Sequence, residues 1–270
     1  MNVLITGATG GIGEAIAREL KRQDYDLLLQ GRDAKKLKAL CLELQGGNGR
    51  IASCAADLNK PGERFTLTEQ ARYFGVDTLI NNAGINDFGY FTETDVAAIM
   101  QTNVISTMAL TQELLPILLS QQQATVLNIG STFGAIGFPG YVAYCASKHA
   151  IKGFSEALRR EYADTPLDVL YVAPRATNTR MNSTIVNQLN RDLHVHSDTP
   201  EAVARVVSKS LSTARARYAL GFTERLQSKL NGLLPGVVDR ALKAQLPVIK
   251  QFLDLVKEES HEKVTANTSV

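Results

Sequence analysis

The stretch that decides the fold is Val3-Leu4-Ile5-Thr6-Gly7-Ala8-Thr9-Gly10-Gly11-Ile12-Gly13-Glu14. It begins with an apolar run typical of a buried strand and ends where an amphipathic helical pattern begins. Glycine allows the backbone to turn tightly and to approach a ligand closely, and a helix N-terminus presents free N–H groups to an anion. Because this turn follows a predicted strand and opens a predicted helix, the sequence predicts a pyrophosphate-binding turn.

Beyond this turn, short apolar runs alternate with longer helical patterns. The predicted strands are Val3 to Thr6, Asp26 to Gln30, Arg50 to Cys54, Thr78 to Ile80, Ala124 to Ile129, Asp168 to Val172 and, more weakly, Arg217 to Leu220. The predicted helices include Gly13 to Gln23, Ala34 to Gln45, Asp95 to Leu119 and Val142 to Ala163. The strand runs are largely continuous in hydrophobicity, as in strands covered on both faces. This alternation predicts an α/β fold with a doubly wound, mostly parallel seven-stranded sheet and helices on both faces.

The overall composition excludes several classes of protein. A chain of 270 residues with 44% apolar and 21% charged residues suits one globular domain, and its net charge of +2 gives no indication of a nucleic-acid partner. No apolar run approaches the ~18 residues of a membrane span, and the N-terminus does not resemble a signal peptide. The cysteines, Cys41, Cys54 and Cys145, are odd in number and lack metal-ligand spacing. We therefore expect a cytoplasmic protein without a transmembrane segment, a disulfide framework or a metal site.

Several polar residues occur in order along the chain, in contexts that suit one site. An Asn-Asn-Ala-Gly segment (residues 81–84) follows the fourth strand, Asn103 lies within a predicted helix, and Ser131 ends the fifth strand. Tyr144 and Lys148 are four residues apart and so share one helical face. Each feature alone has an ordinary explanation, such as turn chemistry or a helix surface. Together with the glycine turn, they resemble the TGxxxGxG, NNAG and YxxxK motifs of the short-chain dehydrogenase/reductase family.

The resemblance extends from Asn2 to about Thr179 and implies a Rossmann-like, dinucleotide-binding enzyme that transfers a hydride between a nicotinamide and a carbonyl or secondary alcohol. It implies that Tyr144 is the general acid/base and that Ser131 stabilises the substrate oxygen. It also implies that Lys148 binds the nicotinamide ribose and that Asn103 holds a water of a proton relay. A tyrosine has an ordinary pKa of about 10, and a nearby ammonium lowers it. We therefore expect Lys148 to bring the pKa of Tyr144 closer to neutrality.

The resemblance further implies a set of cofactor contacts. They are Gly7, Thr9, Gly11, Ile12, Gly13, Arg32, Asp57, Leu58, Asn82, Ala83, Gly84, Tyr144, Lys148, Pro174, Thr177 and Thr179. NAD enzymes of this topology carry an acid after the second strand, whereas NADP enzymes carry an arginine near the ribose 2′-phosphate. Here Gly31 occupies the acidic position and Arg32 follows it, so NADP(H) is predicted to be preferred over NAD(H). Asp33 is interpreted as a helix cap.

Two features depart from the family pattern or stay open. Arg175 stands after Pro174, where the family usually has glycine. If that position requires a positive φ, arginine costs about a kcal/mol or more there. Arg175 is either solvated or reaches an acidic substrate group. The segment from Phe133 to Tyr141, with Phe88, Tyr90 and Met181, is either ordinary core or the lining of a pocket for a hydrophobic ketone, aldehyde or alcohol.

The expected organisation is one catalytic domain over residues 1–222, with a polar substrate loop at about 174–199. A helical extension of that domain follows at 223–261, interrupted at Pro235 and Pro247, and a disordered tail at 262–270. By resemblance, the chain assembles as a homodimer or homotetramer and acts on a small molecule. Two alternative functions stay open: a 3-oxoacyl-thioester reductase and a non-catalytic dinucleotide-sensing protein that uses the same fold.

Overall fold

The central element of the computed structural model, which describes residues 1–214, 217–219 and 229–268, is a seven-stranded parallel sheet. The strands are β1 (Asn2–Ile5), β2 (Asp26–Gly31), β3 (Ile51–Ala55), β4 (Thr78–Asn81), β5 (Ala124–Ile129), β6 (Leu167–Ala173) and β7 (Arg217–Ala219). Their order is β3-β2-β1-β4-β5-β6-β7, and every neighbouring pair is parallel. The predicted fold class is confirmed, and Leu220 of the predicted seventh strand lies outside the described residues.

Helices cover both faces of this sheet. They are α1 (Gly11–Lys21), α2 (Ala34–Glu43), α3 (Pro61–Phe74), α4 (Val96–Met100), α5 (Ser106–Leu119), α6 (Val142–Glu161), α7 (Thr184–Asp192), α8 (Pro200–Thr213) and α9 (Pro235–Thr268). Alternate residues of β1 show the two layers: Val3 and Ile5 belong to the core beneath α1 and α8, while Leu4 belongs to the core beneath α3 and α5. All three are fully buried, which explains their continuous hydrophobicity.

The strand order reverses between β1 and β4. The chain runs outward from β1 through β2 to β3 on one side, then returns to β4 and continues outward on the other. In doubly wound sheets a crevice opens at this reversal, beyond the carboxyl ends of the strands, and ligands bind there. The glycine turn after β1 and the Asn-Asn-Ala-Gly segment after β4 therefore meet at the same crevice.

Two expectations about the C-terminal third need correction. The polar loop at 174–199 contains helix α7, which is capped by the Ser183 hydroxyl and buries Val186 and Leu189. The final helix α9 continues through Pro247 and extends to Thr268, so residues 262–268, expected to be disordered, are helical. No helix in the described ranges is long and apolar enough to span a bilayer.

Candidate active site

The glycine turn has a backbone that only glycine can provide at two positions. Gly7 has a φ of +61°, in the left-handed region, and a Cβ added to Gly13 would lie 2.3 Å from the Gly7 carbonyl oxygen. Gln30 supports the turn from β2: its Oε1 accepts from the Gly7 N–H at 2.9 Å, and its Nε2 donates to the Ala56 carbonyl at 2.7 Å. Gln30 was not among the predicted site residues, although a glutamine inside an apolar strand is itself an unusual signal.

The segment after β4 is hydrogen-bonded directly to this turn. The Thr6 hydroxyl oxygen accepts from the backbone N–H groups of Asn82 at 2.9 Å and Ala83 at 3.0 Å. The Asn82 amide donates in return to the carbonyl oxygens of Thr6 at 3.0 Å and Gly7 at 3.1 Å. The turn and this segment therefore form one rigid wall of the crevice, with the unobstructed N-terminus of α1 beside it.

Asn103 lies in a π-helical turn, Gln101–Ile105, between α4 and α5. Its side chain is buried and hydrogen-bonded through both its oxygen and its nitrogen. Oδ1 accepts from the Ile85 N–H at 2.8 Å, while Nδ2 donates to the Ile85 carbonyl at 2.8 Å and to the Ser147 hydroxyl at 3.1 Å. Asn103 thus joins the segment after β4 to helix α6, and π-helical turns of this kind are frequent at functional sites. It stands behind the crevice wall rather than in it.

Ser131, Tyr144 and Lys148 converge at the floor of the crevice. Ser131 follows β5, and its side chain is hydrogen-bonded to that of Tyr144 near the start of α6. One helical turn further along α6, the Lys148 ammonium donates to the Ile129 carbonyl at 3.2 Å and lies 5.6 Å from the centroid of the Tyr144 ring. A tyrosine hydroxyl, a serine hydroxyl and a lysine therefore lie together in the crevice.

Burial dominates the ionisation of this group. It raises the pKa of Tyr144 well above the ordinary value, and the hydrogen bond with Ser131 opposes that rise. Burial also lowers the pKa of Lys148 from 10.5 to about 8. The expectation that Lys148 brings the pKa of Tyr144 closer to neutrality is therefore not met. Burial removes water from both Tyr144 and Lys148, and the Lys148 ammonium donates to the Ile129 carbonyl.

One continuous cavity of about 1470 Å³ connects the glycine turn with Ser131, Tyr144 and Lys148. Of the predicted cofactor contacts, only Gly13 lies outside its lining, because it packs beneath the turn. The others that line it are Gly7, Thr9, Gly11, Ile12, Arg32, Asp57, Leu58, Asn82, Ala83, Gly84, Pro174, Thr177 and Thr179. Sites for one drug-sized ligand usually measure about 300–1,000 Å³, so this cavity has room for a dinucleotide and a second molecule.

The end of the cavity beside β2 is basic. Arg32 and Lys36 both line it, four residues apart around the first turn of α2. The Asp33 carboxylate accepts from the backbone N–H groups of Lys35 and Lys36 at 3.0 Å each, so its predicted role as a helix cap is confirmed. A Cβ added to Gly31 would lie 3.1 Å from the Thr9 hydroxyl, leaving little room for an acidic side chain. Lys36 was not among the predicted site residues.

Arg175 has a partner within the loop it begins. Its guanidinium forms a two-pronged ion pair with Asp198, with N–O distances of 2.9 and 2.7 Å. Thr177 forms a parallel bridge with Asp198, so the two ends of the loop are joined. The backbone of Arg175 is also unstrained, since the described non-glycine residues with positive φ are elsewhere, at Asp24, His194 and Ala214. The strain expected for a positive φ is therefore absent. Arg175 is paired with Asp198 rather than simply solvated, and it also lines the cavity, so its contact with an acidic substrate group stays a prediction.

The aromatic residues are divided between core and pocket. Phe133, Phe138 and Tyr141 line the cavity, and the Phe133 ring lies 5.3 Å from that of Phe138 and 5.2 Å from that of Tyr141. Phe88 packs behind them in the core, whereas the Tyr90 hydroxyl is directed away and donates to Asp254 at 2.8 Å. The half-exposed Met181 also lines the cavity. Among the described residues, no three histidine, cysteine, aspartate or glutamate side chains cluster as metal ligands.

Comparisons with known proteins agree with this geometry. A family model described as short chain dehydrogenase matches residues 1–190. Nodulation protein G of Rhizobium meliloti (strain 1021) is 33% identical over 230 residues, covering 82% of this chain and 92% of that protein. Dehydrogenase/reductase SDR family member 7B of Xenopus laevis is 32% identical over 253 residues, covering 86% and 78%. The structure of actinorhodin polyketide ketoreductase with NADPH superimposes with a TM-score of 0.73 at 26% identity, covering 82% and 95%.

The fold and the site define the class: a dinucleotide-binding oxidoreductase. The family match covers more than half of the chain, and relatives above 30% identity cover more than two thirds of it. The chain therefore belongs to the short-chain dehydrogenase/reductase family, whose members are NAD(P)-dependent enzymes.

Proposed function

We propose that this protein is an NADP(H)-dependent oxidoreductase that interconverts a hydrophobic carbonyl compound and its alcohol. The observation that carries the proposal is the convergence of Ser131, Tyr144 and Lys148 in the same cavity as the glycine turn. A non-catalytic dinucleotide sensor needs only the turn. It has no use for hydrogen-bonded serine and tyrosine hydroxyls beside a buried lysine, which is costly to maintain.

The residues present fit a dinucleotide. A side chain at Gly7 would meet the Ala83 Cα at 2.8 Å, so glycine is needed for the turn to pack on the segment after β4. The turn lines the cavity, where a pyrophosphate suits the N-terminus of α1. A bound nicotinamide supplies the hydride for reduction. In that direction the Tyr144 hydroxyl donates its proton to the substrate oxygen, and Ser131 stabilises the developing negative charge by a hydrogen bond. In the reverse direction Tyr144 accepts the proton.

Lys148 and Asn103 act behind the tyrosine. Lys148 binds the nicotinamide ribose, with its ammonium 5.6 Å from the centre of the Tyr144 ring. A Cβ at Gly84 would lie 3.1 Å from the Asn103 Oδ1 and 3.9 Å from the Lys148 Nζ, so these two groups approach one point. A water held there by Asn103 would return a proton from solvent to Tyr144 after each reduction.

The proposed chemistry is tested with Tyr144→Phe, followed by NADPH absorbance across a panel of ketones. Loss of the proton donor is expected to reduce turnover by about 10²–10⁴-fold while NADPH affinity is unchanged. Tyr141→Phe is the matched control, because it removes a neighbouring hydroxyl of the same cavity. Wild-type turnover in Tyr144→Phe would refute the assignment, and NADPH binding without turnover of any substrate by the native protein would favour the sensor.

The preference for NADP(H) is supported by Arg32 and Lys36 at the basic end of the cavity. Guanidinium binds phosphate through a fork of N–H groups, and Lys36 adds a second charge. Arg32→Ala is expected to weaken NADPH binding about tenfold or more with little effect on NADH, measured by titration calorimetry. Lys35→Ala, which removes a charge outside the cavity lining, serves as control. Native protein that binds NADH more tightly than NADPH would overturn the preference.

A 3-oxoacyl-thioester reductase is the second candidate. It is favoured by the structural similarity to actinorhodin polyketide ketoreductase at 26% identity. Comparing kcat/KM for 3-oxoacyl thioesters with that for free ketones of the same chain length separates the two. The reacting carbonyl is the same in both kinds of substrate, so the comparison isolates the effect of the thioester group. A strong preference for the thioester would overturn the leading proposal in favour of this one.

The proposed assembly is a homodimer or homotetramer through α5, α6 and the π-helical turn. Ile105, Met108 and Val142 are each more than a third exposed on these neighbouring helices. Light scattering of native protein and Met108→Glu tests the interface, and an unchanged oligomeric state in the variant would argue against it.

A further inference from the structure

One face of helix α9 forms an apolar stripe that serves two different purposes along its length. In the C-terminal part, Ile249, Phe252 and Val256 pack on Phe88 and α7 within one core cluster. In the N-terminal part, the stripe lines the catalytic cavity with Val237, Val238, Ala241 and Leu242, and the polar Gln245 follows them. The apolar residues repeat at helical spacing in both parts, so they belong to one face of α9. That face packs against the core in the C-terminal part and faces the cavity in the N-terminal part.

Burial changes abruptly between the two parts. Ile249 is 0% and Phe252 7% exposed, whereas Val237 is 49% exposed and Leu242 is half-buried. The N-terminal part of α9 thus presents aliphatic side chains that the described protein leaves uncovered, and presents them to the catalytic cavity rather than to a packed neighbour. Uncovered apolar surface inside a binding cavity is the feature that a nonpolar ligand group occupies.

Apolar side chains also line the cavity from other elements. Helix α7 contributes Val186, Leu189 and Leu193 alongside the polar Asn187 and Asn190, and the loop after β5 contributes Ile136 and Phe138. Tyr144 packs against the same core cluster as Val186 and Leu189. From Val237 to Gln245 helix α9 rises about 12 Å, so the space beside it, here called the channel, is long enough for an extended chain.

From this arrangement we infer that the substrate carries an extended aliphatic chain, which lies between α7 and the N-terminal part of α9 while its carbonyl group contacts Ser131 and Tyr144. This inference rests on the proposed function and adds the substrate class to it. Helix α9 is then the element that determines chain-length specificity, and Ala241, small and central in the stripe, lies where the chain passes.

The test is a series of methyl ketones from butanone to dodecanone, reduced with NADPH by the full-length protein. Each methylene that reaches apolar surface is expected to raise kcat/KM by about fourfold until the channel is filled. Ala241→Trp places an indole in the channel and should abolish this rise, so that the ratio of kcat/KM for dodecanone to kcat/KM for butanone falls towards one. Ala244→Trp is the matched control, because Ala244 is exposed on the same helix outside the cavity lining and should keep the native profile.

A binding measurement separates this inference from the proposed function. Dodecanone should raise the melting temperature of the NADPH-saturated protein, butanone should not, and the shift should be lost in Ala241→Trp. That result without turnover would sink the reductase proposal but support the channel. Turnover with no dependence on chain length, an unchanged profile in Ala241→Trp, or neither turnover nor a thermal shift would overturn the inference.

Discussion

Lys148→Met should stabilise the protein in a way that depends on pH. The ammonium is buried, with a carbonyl as its hydrogen-bond partner and no carboxylate among the causes of its shift, and its pKa falls from 10.5 to about 8. This lowering corresponds to about 3 kcal/mol of stability lost at neutral pH. Between these two values the unfolded chain holds a proton that the folded protein has released, so stability rises with pH. The cost is present below about pH 8 and disappears by about pH 10.5.

Replacing Lys148 removes this titration. The stability difference between Lys148→Met and native protein should therefore shrink by about 2 kcal/mol from about pH 7 to about pH 9.5. Loss of the hydrogen bond to the Ile129 carbonyl subtracts about 1–2 kcal/mol at every pH, so it shifts the difference without changing its slope. Urea unfolding followed by circular dichroism measures both values, a suitable probe for a chain without tryptophan.

Lys152→Met, one turn further along α6, controls for the loss of a positive charge from the same helix. A difference that stays constant over this pH range would show that Lys148 is solvated in the folded protein. The physical account of the site would then fail, because it depends on a lysine held against its own solvation.

Three further predictions concern the supports of the site. Gln30→Leu leaves two buried backbone groups without their partners and should lower stability by about 2–3 kcal/mol in urea unfolding. Gly13→Ala brings a Cβ within 2.3 Å of a turn carbonyl and should weaken NADPH binding about tenfold or more in calorimetry. Asp198→Asn weakens the ion pair with Arg175 and should speed limited proteolysis within residues 174–199.

Each of these has a clear contrary outcome. Native stability in Gln30→Leu would mean that the Gln30 side chain does not support the glycine turn. Native affinity in the Gly13 variant would mean that the turn relaxes without consequence for the pyrophosphate. Cleavage of the loop at the native rate in Asp198→Asn would mean that the ion pair does not hold the loop. Thr199→Ala, which removes only the cap of α8, is the control for general loop stability.

Residues close in sequence were enough to predict much of this protein. The turn around Gly7 combines a strand, glycines and a helix start within a dozen residues, and its conformation follows from local backbone chemistry. The parallel sheet follows from the repeated alternation of apolar runs and helical patterns. The common helical face of Tyr144 and Lys148 follows from their spacing alone. These properties can be predicted from the sequence because they depend on the geometry of residues close in the chain.

The rest depends on contacts between residues far apart in the chain. Arg175 was expected to be either solvated or in contact with an acidic substrate group, because its pairing with Asp198, 23 residues away, cannot be predicted from local sequence. Helix α7 was missed because its short apolar face has meaning only against the core that buries it. Tyr144 and Lys148 were correctly placed, but their pKa values depend on how much protein surrounds them. The sequence determined which chemical groups meet at the site, whereas only the tertiary structure decided their solvation and the apolar channel beside them, because burial is a property of the whole fold.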